Sequence, residues 1–140
     1  MFSGVSDPKV DRLGHVPLFS GLPKHDLEFL ASRIDEVQLK AEQTVIKEGQ
    51  PTESFFIITS GNVQVSRRGK PIARLGPGEF FGEIGMLDRG PASATVVSDG
   101  PVAAMVLSHA QFRDAIKGNP GLAMQVIAAM AERLRANAMA

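Results

Sequence analysis

The chain has 140 residues, 44% apolar and 21% charged, an ordinary globular balance that excludes a disordered chain and leaves no room for a second independently folded unit. Fifteen Lys and Arg offset fifteen Asp and Glu, so no net field draws nucleic acid or an anionic membrane from a distance, and a charged partner has to be met locally. The absence of cysteine removes disulfides and thiolate metal sites and fits a cytoplasmic location.

Residues 1–10 carry Asp7, Pro8 and Lys9 and no apolar stretch of the signal-peptide kind. The longest uncharged apolar run, 102–107, falls far short of the roughly 20 residues that cross a bilayer, so no membrane span is expected. Along the chain, Leu27, Phe29, Leu30 and Ile34 recur at helical spacing within about 10–35. That spacing predicts a helix with Pro23 in its first turn and Ser20 or Gly21 as its entry. The apolar lead-in 16–22 should pack against the body.

From about 36 to 108 the period becomes strand-like, in runs at 44–46, 55–59, 63–66, 72–75, 94–97 and 102–107. Between them lie Glu48-Gly49, Ser60-Gly61-Asn62, Arg68-Gly69-Lys70, Gly76-Pro77-Gly78 and Asp99-Gly100-Pro101, each able to reverse the chain. Such regular turns predict a small sandwich, barrel or roll. The last region, about 109–137, predicts two helices. Ser108 caps the first, Gly118-Asn119-Pro120-Gly121 stops it, and the second carries Leu122, Val126, Ile127, Met130 and Leu134 as an apolar stripe.

The stretch 78–96 interrupts the strands. Glycines at 82 and 85 let backbone amides approach a ligand, and residues 84–87 are expected to form one helical turn whose free N–H groups suit an anion. Glu83 is either an acceptor for sugar hydroxyls beside that anion or a cap on the short turn.

Phe81-Gly82-Glu83-Ile84, a short gap and Ala94-Thr95-Val96 resemble the phosphate-binding cassette of the cyclic nucleotide-binding domain family. The similarity extends in order. Pro17-Leu18-Phe19-Ser20-Gly21-Leu22 resembles that family's helical entry, Val45-Ile46-Lys47-Glu48-Gly49 its early glycine turn, and Phe55-Phe56-Ile57-Ile58-Thr59-Ser60-Gly61 its central strand and hairpin, covering about residues 13–135. The resemblance implies a mainly β chain with α: an antiparallel β-roll, jelly-roll-like and of the catabolite activator type, flanked by an N-terminal helix and C-terminal helices. It implies cAMP or cGMP as ligand and no other cofactor. Gly82 and the amides of Gly85 and Met86 would contact the cyclic phosphate, Glu83 the ribose 2′-hydroxyl, and Phe81, Ile84, Ser93, Ala94 and Thr95 would complete the wall, with the Ser93 hydroxyl able to meet a purine edge. In the family the final helix moves over the base, which makes Met130 or Leu134 a candidate lid.

The chain departs from the pattern at one place, where Ala92 stands at the position of the family's arginine. A guanidinium on a partly desolvated phosphate contributes roughly 1.5–3 kcal/mol, so its loss weakens binding by about 10- to 150-fold. Arg89 either swings in as a substitute or is a solvated loop charge beside Asp88.

Other features carry two readings. Arg67-Arg68-Gly69-Lys70 is a phosphate contact or the polar tip of a hairpin, and the 122–134 stripe is core, lid or a face for a second chain. His15, His25 and His109 share no ligand spacing, so no metal is expected. Ser93 and Thr95 lack a partner base, which argues against an enzyme. Three functions follow: a cyclic nucleotide sensor that signals by moving its C-terminal helices, a degenerate module that binds weak or no nucleotide and acts by protein interaction, or a cupin-like metal enzyme. The chain ends soon after the last turn signal, so no helix-turn-helix DNA-binding domain is expected. Output would pass to a protein partner or to a second copy through the C-terminal helix.

Overall fold

A computed structural model describes residues 8–82 and 90–139, apart from the side chains of 133, 134 and 136–139. Internal contacts divide the chain into two compact units, Ile34–Phe112 and the pair Met1–Arg33 with Arg113–Ala140.

The first unit is one antiparallel sheet of β1 (Asp35–Leu39), β2 (Thr44–Ile46), β3 (Ser54–Arg67), β4 (Lys70–Leu75), β5 (Phe80–Phe81) and β6 (Thr95–Ser108). The long strands β3 and β6 pair through its middle, with β1 beyond β6 and β4 beyond β3, while β2 adds to β6 and β5 to β3. The reversals expected at Ser60-Gly61-Asn62 and Asp99-Gly100-Pro101 are bulges inside these strands. Ser60 pairs with Ala103 and Asn62 with Asp99, so Gly61 alone faces residues 100–102. Gly61 sits at φ +82°, so close to Pro101 O and the Val102 backbone that any Cβ would overlap them.

Bulges bend strands and re-aim side chains. On β3 the inward positions are Phe56 and Ile58 before Gly61, then Val63 and Val65 after it. They join Leu39, Ile46, Phe81, Ala92, Val96 and Val102 in one interior cluster. On the opposite face Phe55 stacks on Phe112 with ring centres 4.3 Å apart and meets Phe80 at 5.4 Å.

Tight turns hold the register. Arg68 and Gly69, at φ 52° and 77°, close the β3–β4 hairpin with Arg67 opposite Lys70, a two-residue reversal whose twist matches its strands. The turn 76–79 is fastened to β3 by Gly78 N–H to Ile58 O (2.8 Å) and Ile58 N–H to Glu79 O (2.9 Å), which lays Phe80–Phe81 against Phe56 and Ile57. Buried Ser98 clasps the β1–β2 connection, its hydroxyl donating to Lys40 O and accepting from Gln43 N–H (2.8 Å).

In the second unit a helix α1 (Pro8–Gly14) comes first, the lead-in 16–22 holds a 3-10 turn (Pro17–Phe19), and the helix expected from Pro23 is α2 (Lys24–Ala31). Pro23 is the residue preceding α2 and not part of its first turn. Ile34 leads into β1, and Phe29 is 40% exposed with the Arg33 guanidinium 3.6 Å above its ring.

Two helices close the chain, α3 (His109–Gly118) and α4 (Pro120–Met139). Ser108 and Gln111 exchange side chain-to-amide bonds of 3.1 Å each, a reciprocal cap, and Asn119 Oδ1 accepts from Leu122 N–H (3.0 Å) to start α4. Of the expected apolar stripe, Leu122 and Val126 are buried and Met130 half-buried, but Ile127 is 58% exposed and so departs from the core reading. The reason is angular: Met124 and Ile127 share the helix face turned away from Leu122 and Val126.

Candidate functional site

The site is built where β5 ends and β6 begins. Gly82 has φ +92°, and a Cβ there would overlap Ser54 O, so the residue type follows from the close passage of two backbones. The Gly82 carbonyl accepts from His109 Nε2–H at 2.8 Å, and His109 is buried. His109 N–H in turn donates to Glu53 O at 2.7 Å. One residue earlier, Phe81 faces the interior cluster and stacks on Phe56 at 4.9 Å.

The segment leading into β6 is stitched to the loop after β2. Gly49 N–H donates to Ala92 O and Ala92 N–H to Gln50 O, both at 2.9 Å, while Thr95 Oγ1 accepts from Glu48 N–H at 3.0 Å. Both backbone groups of Ala92 are therefore occupied, and its methyl lies in the interior cluster beside Ile46, Phe81 and Val96. Arg67, last on β3, donates from Nε to Ser93 O at 3.0 Å. Glu48 Oε1 accepts from Arg68 N–H at 2.9 Å, tying the hairpin tip to the same loop.

Of the expected site residues, Phe81 and Ala92 share the interior cluster, Gly82 follows Phe81 beside Ser54, and Ser93, Ala94 and Thr95 lead into β6, Ser93 exposed and Ala94 half-buried. Glu83, Ile84, Gly85, Met86 and Arg89, with the helical turn expected over 84–87, lie outside the described residues, as does the Leu134 side chain. Met130 is on α4, in the other unit. The basic cluster 67–70 forms the tip of the β3–β4 hairpin, with Arg67 Nε donating to Ser93 O. Two residues of the site are only partly legible in the sequence. His109 stands there as one of three histidines without ligand spacing, and Arg67 only as part of the basic cluster 67–70, its inward parity with Val63 and Val65 a period-2 signal that its charged neighbours obscure.

Chemically the described part of the site is an apolar interior rimmed by backbone dipoles, hydroxyls and one guanidinium. Among the described residues no three His, Cys, Asp or Glu come together as a metal site, and no helix is long and apolar enough to cross a membrane. The roll is thus an antiparallel sheet with bulged central strands and a glycine at the end of β5.

The model of the cyclic nucleotide-binding domain matches residues 36–119, more than half of the chain. The chain belongs to that family. It is 27% identical over 128 residues to the CRP-like cAMP-activated global transcriptional regulator of Mycobacterium tuberculosis, covering 88% of this chain and 57% of that one. Among solved structures it resembles the Thermus thermophilus catabolite activator protein, with a TM-score of 0.78, 27% identity, and coverage of 88% of this chain and 60% of the other. It also resembles a point mutant of a cAMP-binding acyltransferase from Mycobacterium smegmatis, with a TM-score of 0.77, 33% identity, and coverage of 91% and 41%. The chain therefore spans about 41–60% of the length of these relatives. The antiparallel β-roll with flanking helices is the fold that they share.

Proposed function

We propose that this domain is a regulatory sensor that binds cAMP or cGMP in the interior of its β-roll and passes the bound state to the helices that follow His109. The observation that carries the reading is Gly82, whose positive-φ, side-chain-free backbone passes close to Ser54 O and accepts from His109 at its carbonyl. Glycine at that point lets the amides of the next residues reach an anion. On this reading Gly85 and Met86 offer N–H groups to the cyclic phosphate, Glu83 accepts from the ribose 2′-hydroxyl, and Ser93, Ala94 and Thr95 form the opposite wall with Phe81 and Ile84. Met130 or Leu134 covers the base. Ligand that binds only the native form raises stability by an amount set by its concentration over its affinity, so thermal melting with millimolar cAMP or cGMP tests the reading. A raised melting temperature supports it, and none with either nucleotide refutes it.

Ala92 favours a second reading, a degenerate module that takes weak or no nucleotide and serves in protein interaction. A buried methyl stands there in place of a cation, and its backbone is closed by Gly49 and Gln50. In either reading the output surface is α4, whose exposed Met124 and Ile127 suit pairing with a second copy or a protein partner.

A further inference from the structure

We infer that Arg67 supplies the cation that meets the nucleotide phosphate, standing in for the arginine absent at position 92. The inference rests on the cyclic nucleotide reading above. Three observations carry it.

The first is parity. Val65 pairs with Val96 and Ser66 with Thr95, and successive strand residues alternate between faces. Val63 lies in the interior cluster with Ala92 and Val65 packs against it, so Arg67 continues their face at the exposed end of β3. The second is orientation. Its Nε donates to Ser93 O at 3.0 Å, which fixes the guanidinium beside the residue that follows Ala92. The third is vacancy. Among the described residues Arg67 Nη1 and Nη2 have no partner. The Glu48 carboxylate on the neighbouring loop takes Arg68 N–H, and Arg74 is committed to Asp99. An arginine anchored through Nε still presents a two-pronged edge, the geometry that matches a phosphate. Ala92, buried and neutral, leaves that role open.

Calorimetric titration of the folded chain with cAMP and with uncharged adenosine separates a phosphate contact from a structural one. Arg67→Gln keeps an N–H within reach of Ser93 O and removes the charge. It should weaken cAMP binding by about 10- to 150-fold, the range for losing one charge-assisted contact, and leave adenosine unchanged. Arg67→Lys should lie between, and adding Ala92→Arg to Arg67→Gln should restore the loss. Wild-type binding of cAMP that is indifferent to Arg67→Gln, or an equal loss for cAMP and adenosine, overturns the inference while the nucleotide reading stands. A folded wild-type chain that binds no cyclic nucleotide overturns both.

Discussion

His109 Nε2 lies 2.8 Å from the carbonyl oxygen of Gly82. A carbonyl only accepts, so the buried imidazole is the donor, and this fixes its tautomer. His109 is also the first residue of α3, which makes the end of β5 and the start of the C-terminal helices a single hydrogen-bonded unit.

His109→Ala removes the donor and leaves the Gly82 carbonyl without it in a half-buried place. We expect a loss of about 1–3 kcal/mol, read by urea unfolding. His109→Gln, with an amide N–H at similar reach, should recover part of that loss.

Gly82→Ala places a methyl against Ser54 O at positive φ. Strain of that kind costs about 1–3 kcal/mol, so the variant should melt lower than wild type. On the proposed reading it should also lose any stabilisation by cyclic nucleotide, because that backbone leads into the residues proposed to meet the phosphate. Thermal melting with and without cAMP measures both effects.

The legible and illegible parts of this chain divide along sequence distance. The hairpin at Arg68-Gly69, the Ser108 cap and the Gly118–Gly121 break are local, and each appears in the structure where its residues stand. Ser60-Gly61-Asn62 and Asp99-Gly100-Pro101 carry the same turn chemistry, yet they face each other across β3 and β6 as paired bulges. Only a partner strand some forty positions away, on the order of a strand and loop or two, distinguishes a bulge from a reversal. β1 is hidden for the same reason. Asp35-Glu36-Val37-Gln38-Leu39 has weak alternation and is held by its pairing with Val102–Val106. Of the site, the glycine at 82 is visible from its motif, whereas His109 and Arg67 act on residues 27 and 26 positions away.

Ala92→Arg should act in opposite directions on the free and bound chain. Without ligand a guanidinium enters the cluster of Ile46, Phe81 and Val96 uncompensated, which lowers the melting temperature. With cyclic nucleotide it gains a charge-assisted partner, so affinity should tighten by about 10- to 150-fold. Paired melting and titration of the variant check both signs.

Pairing through α4 is tested by charge. Met124→Asp with Ile127→Asp places two carboxylates on the exposed face of the helix, away from buried Leu122 and Val126. Sedimentation should show a dimer for wild type and a monomer for the variant, with little change in stability. A wild-type monomer at all concentrations would remove self-pairing as the route of output.

Isothermal calorimetry of the intact chain against cAMP and cGMP addresses the central claim most directly. The account requires saturable uptake of one cyclic nucleotide per chain, with a preference over adenosine that fades as salt screens the phosphate. Flat titrations with both nucleotides at millimolar concentration, from protein shown to be folded, would contradict it.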